Sequence, residues 1–498
     1  MSDTVRHCPR TVSADTCAAP EPCGSLQIIE LQGISNLACG LPNPLMETRK
    51  YIALLIMGWF AISARANDLR LLYELAESQD ATLQAARFQR DAAVEARPQA
   101  RAQWLPQISA TSSATRERAG FNVDQIGTAE ANNCALTAAA DTEYCHGTAH
   151  ALGITLSQTI WSFQAFSQLK EANFTAAAAE ATYQDAKQNL VLRVAKAYFA
   201  ILSAADQLAT NRSEREAFAT LLNQAKGREQ TGVGPRSDVE QAQAFYDTTE
   251  SDVIDAENAV EDANLALVEI VGEPVADVAP LRSTIPLTAP DPPSADAWVA
   301  SARHDNYGVT TAALKMEAAQ RDIGAQHGRA LPSFTLTTSS SKITQDAALG
   351  GNQELDTVGV GFTWPLFQGG AVASAVRQSR ARYHQAEALY DSAQRETERL
   401  TRSAYRNVVS GIQRIGAARR AVDSDARAVD ANRRNVEFGT GTEFELLDAQ
   451  NNYFAALRAY SQTRYDYLTS ALTLKQQAGR LTEQDLIAID ALLVEKNP

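Results

Sequence analysis

The chain has 498 residues and carries 59 acidic against 45 basic side chains, which gives a net charge of −14 at neutral pH. A nucleic-acid-binding protein shows a basic excess, so this balance argues against that class. The acidic excess favours solubility and is a weak indication of an interior that prefers cations.

The N-terminal region contains a pattern typical of an export signal. A basic start at residues 46–50 precedes an apolar run at 51–62 and the small residues of Ala64-Arg65-Ala66, which is the order of a secretory signal. We assign residues 46–66 to a signal peptide and 1–45 to an upstream extension that is disordered or not translated. No other segment approaches the roughly 18 uninterrupted apolar residues of a spanning helix. An exported chain that enters a membrane must then use strands.

A helical run and two candidate strands come next. Apolar residues recur at helical spacing from Asp68 to Gln103, and the helix must end before Pro106. Residues of about 107–117 and 150–161 alternate between apolar and small polar side chains. Strands of about ten residues with one apolar and one polar face are typical of outer-membrane barrels. From the pattern alone, soluble hairpins remain the alternative.

The loop between these strands holds two of the six cysteines, Cys134 and Cys145. In an oxidising compartment we expect a disulfide that closes the loop, with two unpaired thiols as the alternative. His146 and His150 lie beside Cys145, but loop histidines are more often solvated than metal-bound. We expect no metal site and no cofactor.

Each half of the chain continues into one very long helix. Residues 163–230 and 369–438 contain no proline and almost no glycine, and a helix of about 65 residues extends roughly 100 Å. An apolar seven-residue repeat along the first of them predicts coiled-coil packing. Each long helix ends at a Gly-x-Gly turn that a second helical run follows. The four glycines of these turns are Gly232, Gly234, Gly439 and Gly441.

The chain is therefore predicted to be a duplicated helix, strand, strand, long helix, helix unit. The first copy covers residues 67–270 and the second covers 294–478. A proline-rich linker at 271–293 joins them, and residues 479–498 form a tail whose short helix folds back on the middle. Such a unit cannot bury its strands and helices in one ordinary core, so we expect it to work by assembly with further copies.

A second pair of strands, at about 333–343 and 356–367, brings the total to four in each chain. The smallest closed membrane barrels need about eight strands, and open sheet edges cannot stay unpaired in lipid. Two or three copies satisfy this requirement. The long helices would then continue the lumen of the barrel as a helical cylinder.

The sequence resembles the TolC family of outer-membrane exit ducts over essentially the whole mature chain, in order and in both repeats. The segments that carry the resemblance are Leu105-Pro106-Gln107, Leu331-Pro332, Gln158-Thr159-Ile160-Trp161, Pro365-Leu366-Phe367-Gln368-Gly369-Gly370, Ala197-Tyr198-Phe199, the turn from Gly232 to Asp238-Val239, and Gly439-Thr440 leading to Leu446-Leu447-Asp448-Ala449.

The resemblance implies a mainly α-helical fold with a membrane β-barrel. It implies a homotrimer with one twelve-stranded barrel surrounded by outer-membrane lipid of a Gram-negative bacterium, and a long periplasmic tunnel of helices. The implied partners are a periplasmic adaptor (membrane fusion) protein and an inner-membrane transporter of the RND, ABC or MFS type. The implied function is a passive exit duct of a tripartite efflux pump, a type I protein secretion system, or both.

The resemblance also singles out residues at the two turns. Acidic residues that match Glu445 and Asp448 form rings at the periplasmic constriction of the family, and Asp238 takes the place of Glu445 in the first repeat. The family typically has two aspartates, so Glu445 departs conservatively. Gly441 stands where the best-known members have an arginine that helps lock the closed entrance, and Arg236 could substitute for it. Without the resemblance, these carboxylates would be interpreted as helix caps or as groups favoured by the helix dipole.

Catalytic signatures are absent from the sequence, which has no His-Glu-x-x-His, no Gly-x-x-x-x-Gly-Lys-Ser/Thr and no Gly-x-Ser-x-Gly. We therefore expect a transport protein and not an enzyme. The alternative from another class is a periplasmic coiled-coil scaffold or adaptor without a barrel. Adaptors normally have one helical hairpin flanked by β domains, whereas two matched pairs of strands lie between helices here, which favours the duct.

Overall fold

The computed structural model describes residues 69–122, 134–135, 142–275, 278–345 and 352–494. The assignments of an upstream extension to residues 1–45 and of a signal peptide to 46–66 fall outside the described residues. The first half contains α1 (Leu69–Gln79), α2 (Ala81–Val94), α3 (Ala96–Ala102), β1 (Gln107–Asn122), β2 (Cys134–Ala135), β3 (Thr142–Ser162), α4 (Phe163–Gln230) and α5 (Arg236–Val271). The second half contains α6 (Ala295–Asp305), α7 (Tyr307–Gly328), β4 (Ser333–Gln345), β5 (Gln353–Thr363), α8 (Ala371–Glu437), α9 (Glu443–Gln477) and α10 (Glu483–Asp490).

The strands form one antiparallel sheet in the order β1-β3-β4-β5, and the short β2 also pairs with β3. β1 is aligned with β3 along its whole length, from Gln107 opposite Ser157 to Asn122 opposite Thr142. β3 of the first repeat pairs with β4 of the second, and β4 pairs with β5. The sheet therefore joins the two repeats, and β1 and β5 form its edges.

One face of the sheet carries large apolar side chains that the chain itself leaves uncovered. Ile154, Val358 and Phe362 are 55, 76 and 57% exposed, and mainly small side chains alternate with them along the strands. An exposed apolar face of this extent requires an apolar environment. The prediction of two-faced strands is confirmed, but β1 and β3, with 16 and 21 residues, are longer than the expected ten or so. β5 ends at Thr363 instead of continuing to residue 367. Pro365 lacks the N–H that a ladder requires.

Two helices of unusual length follow the paired strands. α4 spans 68 residues and α8 spans 67, which is about 100 Å each at 1.5 Å per residue. Ser162 caps α4 by accepting a hydrogen bond from the N–H of Ala165, and Gly370 in left-handed geometry precedes α8. The predicted long helices are thus confirmed to within two residues at each end. Among the described residues, no helix combines the length and apolar character needed to cross a bilayer.

The helical run predicted from Asp68 to Gln103 is divided into α1, α2 and α3. Asp80 leaves helical geometry with a ψ of 114°, and its carboxylate accepts a hydrogen bond from the N–H of Leu83 at 2.7 Å. The same carboxylate accepts two hydrogen bonds from Arg193 of α4, at 3.1 and 2.7 Å. The break therefore provides α2 with a cap and anchors it to α4 through a bidentate ion pair.

The largest apolar core lies where the middle of α4 meets α1, α9 and α10. Leu190, Val194 and Tyr198 of α4 are buried there together with Leu72 of α1 and Leu486 of α10. Complete burial of such side chains contributes about 1.5 to 3 kcal/mol for each leucine or valine. The middle of the long helix is thus held by elements from both ends of the described chain.

The tail and the proline-rich linker close this core together. The N–H of Arg282 donates to the carbonyl oxygen of Leu492 at 3.0 Å, and that of Val494 donates to Pro280 at 2.9 Å. The carboxylate of Asp490 accepts from the N–H of Leu69 at 2.9 Å. The tail contains the short helix expected from the sequence, and these bonds attach it to the linker and to the start of α1.

Gly479, between α9 and α10, is expected to tolerate no side chain. Its φ is 70°, and a Cβ there would lie 2.1 Å from the carbonyl oxygen of Asp305. We expect Gly479→Ala to destabilise the fold by about 3 kcal/mol through backbone strain and overpacking. Thermal unfolding followed by circular dichroism measures this loss.

The matched control is Gly227→Ala, in the last turns of α4. A Cβ at Gly227 meets nothing within 4 Å, so alanine should stabilise the helix by about 0.5 to 1 kcal/mol. Equal unfolding midpoints for the two variants would contradict the expected clash at Gly479.

Candidate functional site at the helical turns

The two Gly-x-Gly turns adopt the same backbone structure. In the first, Gly232 has a φ of 74°, and the N–H groups of Val233 and Gly234 donate to the carbonyl oxygen of Arg228 at 2.9 and 3.0 Å. In the second, Gly439 has a φ of 71°, and Thr440 and Gly441 donate to Asn435 at 2.8 and 3.1 Å. In each turn, these hydrogen bonds give a partner to a carbonyl oxygen near the C-terminal end of the preceding long helix. The duplication inferred from the sequence thus includes the local geometry of the turns.

The second glycine of each turn lies close to the preceding helix. A Cβ at Gly441 would be 2.8 Å from the Cβ of Asn435, and one at Gly234 would be 3.0 Å from that of Arg228. Both distances are shorter than ordinary van der Waals contact. The second turn therefore leaves little room for any side chain at the position of Gly441.

The carboxylates predicted to line a constriction lie at the N-terminal end of α9. Glu445 accepts a hydrogen bond from the N–H of Thr442 at 3.0 Å, and the hydroxyl oxygen of Thr442 accepts from the N–H of Glu445 at 3.2 Å. This reciprocal pair is a capping box. Asp448, one turn later, is exposed and accepts from Asn452 at 3.2 Å. Glu445 therefore stabilises its helix and also presents an exposed carboxylate.

The first turn presents Asp238 and Arg236 at the start of α5. Asp238 is half-buried and accepts a hydrogen bond from the hydroxyl of Ser237 at 3.4 Å. Arg236 forms an exposed ion pair with Glu240 of its own helix at 3.3 Å. Among the described residues, no carboxylate of the second turn forms an ion pair with Arg236. Within one protomer, Arg236 therefore binds a carboxylate of its own helix, and its suggested role at the entrance stays a prediction.

A different ion pair joins the two turns, and sequence reasoning missed it. Arg228, at the end of α4, donates to Glu443 in the first turn of α9. Glu443 is 4% exposed, and its Oε1 has no hydrogen-bond partner among the described residues. Glu443 occupies the position in the second repeat that Arg236 occupies in the first. This reversal of charge between the repeats is the sequence signal that could have drawn attention to Glu443.

Apolar packing brings the ends of all four helices together around this ion pair. Phe218 of α4 lies against Phe245 of α5, with ring centroids 5.3 Å apart. The same cluster includes Ala242 of α5, Val429 of α8 and Leu447 of α9. Both turns therefore lie side by side at one end of the helical region.

A second buried polar group lies along the helices, above the turns. Glu214 of α4 is 2% exposed and binds Arg458 of α9, which also donates to the side chain of Asn211 at 3.2 Å. Asn211 in turn donates to the carbonyl oxygen of Asp252 in α5 at 3.0 Å. Burial raises the pKa of the Glu214 carboxyl, and the Arg458 charge opposes this shift in part. In the sequence, Asn211 is a polar residue within the apolar seven-residue repeat of α4.

The two candidate disulfide cysteines lie in paired strands and not in an irregular loop. The backbone register places Cys134 of β2 directly opposite Cys145 of β3. Opposite Cα atoms in an antiparallel pair are about 4.5 to 5.5 Å apart, which falls within the range of disulfides. Their side chains lie outside the described part of the structure, so the disulfide stays a prediction.

Comparisons with known proteins agree with this architecture. A family model described as outer membrane efflux protein matches residues 72–273 and 298–480. Outer membrane protein TolC of Vibrio cholerae is 30% identical over 440 residues, which cover 87% of this chain and 96% of the relative. The alkaline protease secretion protein AprF of Pseudomonas aeruginosa is 28% identical and covers 85% of this chain and 86% of the relative. The outer membrane channel CmeC of Campylobacter jejuni superposes with a TM-score of 0.72 at 16% identity, covering 86% of this chain and 90% of that one.

The sheet, the paired long helices and these likenesses define a class, the protomer of an outer-membrane channel with a membrane β-barrel and a helical tunnel. The chain belongs to the outer membrane efflux protein family. It functions in efflux at the outer membrane, as the sequence predicted. The alternative, a periplasmic scaffold or adaptor without a barrel, disagrees with this family and is set aside.

Proposed function

We propose that three copies of this chain form one passive duct, without catalytic activity and opened by its partners. The observation that carries the proposal is the sheet with its four long strands, whose edges β1 and β5 pair with no further strand of the described chain. Its exposed apolar face suits contact with lipid. Three sheets placed edge to edge would give twelve strands and remove every edge.

The proposed partners are a periplasmic adaptor protein and an inner-membrane transporter of the RND, ABC or MFS type. Both would bind at the helical end of the duct, because each protomer presents its two Gly-x-Gly turns there. The relative named for alkaline protease secretion supports type I secretion as one use of the duct, and the matched family supports efflux. Opening would be a rearrangement of helices near the turns.

Glu445 and Asp448 are proposed to form carboxylate rings at the periplasmic constriction, with Asp238 nearby. Both residues are exposed in the first turns of α9, and threefold repetition would bring six of these carboxylates around one axis. A ring of carboxylates favours cations in a narrow pore. Arg236 is exposed and remains a candidate for contact with a neighbouring copy.

The test of this function is the ion selectivity of purified protein in planar bilayers. We expect Glu445→Gln with Asp448→Asn to lower the cation-to-anion permeability ratio at least about twofold, because six charges leave the constriction. Glutamine retains the capping box, so the helix should persist. The reversal potential under a salt gradient gives the ratio directly.

The control variant carries Glu273→Gln with Asp291→Asn, which removes the same charge from the exposed linker far from the turns. Its reversal potential should match that of the unmodified protein. If the turn variant also matches, the ring assignment fails. Purified protein that forms no conducting oligomer would overturn the duct itself.

A further inference from the structure

The four long helices of the described chain lie side by side in the order α5-α4-α9-α8. α5 buries a stripe that includes Val253 and Ala256, and it packs on α4. α8 buries Val408 and Ile415 along its middle and Val429 near the turns, and it packs on α9. Each end helix therefore has an opposite face that the described residues leave exposed.

The exposed face of α5 is acidic. The helix contains ten carboxylates and a single basic residue, and Glu240, Asp247, Ile254 and Glu261 recur at every seventh position. A seven-residue spacing keeps side chains on one face of a helix, and all four are exposed. We call these four residues the acidic stripe.

The exposed face of α8 carries a row of arginines, with the exposed Asp423 and Asp430 beside it. Arg406, Gln413, Arg420, Arg427 and Arg434 also recur at every seventh position, and all five are exposed. In the part of the chain that the structure describes, none of these four arginines forms an ion pair with a carboxylate. We call these five residues the arginine stripe.

Partners within the acidic stripe are weak and exchangeable. Glu240 binds Arg236 of the same helix at 3.3 Å, with both side chains more than half exposed. Asp247 accepts from Gln243 at 2.7 Å. Exposed contacts of this kind contribute little, so the carboxylates remain available to a stronger partner.

The two stripes have matching register. The ion pair between Arg228 and Glu443 holds the two turns at one level, so distance from the turn gives comparable heights on α5 and α8. Glu240 lies in the second turn of α5, and Arg434 lies in the last turn of α8. Steps of seven residues in opposite directions then bring Asp247 level with Arg427, Ile254 with Arg420, and Glu261 with Gln413.

We infer that the arginine stripe of one protomer docks on the acidic stripe of a second copy of this chain. The partner is a second copy because its α8 supplies complementary charge at the same seven-residue spacing. The α5 and α8 helices of one protomer cannot meet, because α4 and α9 lie between them. The inference rests on the proposed oligomeric duct and specifies which helix faces meet between protomers and by which charges. At this contact between protomers, which we call the seam, the charges are partly removed from water, and this strengthens their attraction. The matched spacing of the charges fixes the register of the two helices.

Cysteine crosslinking tests the register. Protein carrying Asp247→Cys with Arg427→Cys should form disulfide-linked dimers and trimers under mild oxidant, seen on non-reducing gels. Asp247→Cys with Arg420→Cys is the off-register control, because Arg420 lies two helical turns, about 10 Å, from Arg427. We expect at least a fivefold higher yield for the level pair, with each single-cysteine variant defining the background from native cysteines. Equal yields would overturn the inference.

Charge exchange tests the chemistry. Glu240→Arg with Asp247→Arg should reduce the fraction of heat-resistant oligomer severalfold, and so should Arg427→Glu with Arg434→Glu. All four substitutions together should restore it, since the charges are merely exchanged across the seam. Failure of this rescue, with unmodified protein still oligomeric, would refute the stripes as the seam. Crosslinks only to a different protein would also refute them, whereas an unmodified protein that remains monomeric would refute the proposed trimeric duct.

Discussion

Replacement of Arg228 by methionine is expected to separate the two helical turns. Glu443 would remain buried at 4% exposure without its cation, and an uncompensated buried charge costs about 3 to 5 kcal/mol. Methionine retains much of the apolar stem, so the loss would arise chiefly from the missing charge. Hydrogen exchange of the backbone amides in both turns measures the loosening, and single-channel conductance measures its effect on the duct.

Arg236→Met is the matched control for this experiment. Arg236 lies at the same end of the helical region, but its ion pair with Glu240 is exposed, and such pairs contribute about 0 to 1 kcal/mol. In Arg236→Met, the protection of the backbone amides of both turns against hydrogen exchange should be nearly unchanged. A conductance that changes with Arg236→Met would instead support the role suggested for Arg236 at the entrance.

The double variant Arg228→Met with Glu443→Met separates loss of charge from loss of packing. With both charges removed, an apolar pair of similar volume is often neutral or stabilising. We therefore expect most of the lost exchange protection to return. If the double variant is as loose as Arg228→Met alone, the buried charge of Glu443 is not the cause.

The second large effect is expected for Arg458→Met, which removes the cation beside Glu214. Burial already raises the pKa of this carboxyl, so the ionised form carries a free-energy cost in the folded chain. Without Arg458 this cost should reach about 3 to 5 kcal/mol at pH 8. Thermal unfolding followed by the helical circular dichroism signal gives the change.

The dependence on pH follows from the direction of the pKa shift. A carboxyl whose pKa is raised in the folded chain binds its proton more tightly there than in the unfolded chain. In the unfolded chain the pKa of a glutamate carboxyl is about 4.3. Stability therefore falls as the pH rises through the folded pKa and is recovered as the pH falls toward the unfolded value. Arg458→Met should regain midpoint temperature between pH 8 and pH 5. Glu214→Gln in the same background should abolish that recovery, and a pH-independent loss in Arg458→Met would contradict the assignment to Glu214.

Several elements were predictable because their signal is local and periodic. The long run without proline between residues 163 and 230 became α4 at the predicted bounds. The alternation in the strands was predictable because a two-residue period separates the two faces of a strand, whichever strand it pairs with. The Gly-x-Gly turns were recognisable because left-handed geometry favours glycine.

Other features depended on contacts between residues far apart in the chain. The break at Asp80 follows from its bond to Arg193, which is 113 positions away. The burial of Glu443 and Glu214 depends on Arg228 and Arg458 of other helices. A sequence pattern indicates that a carboxylate is present, but not which cation lies beside it.

The sequence by itself determined the duplicated order of elements, the length of the helices and the family resemblance, because each is encoded in spacing along the chain. Only the tertiary structure decided that β3 and β4 join the two repeats, that Arg228 holds the turns level, and that α5 and α8 are the outer helices. The physical reason is that pairing, burial and ion-pair formation depend on distances in space, which folding brings about between segments with no local signal for one another.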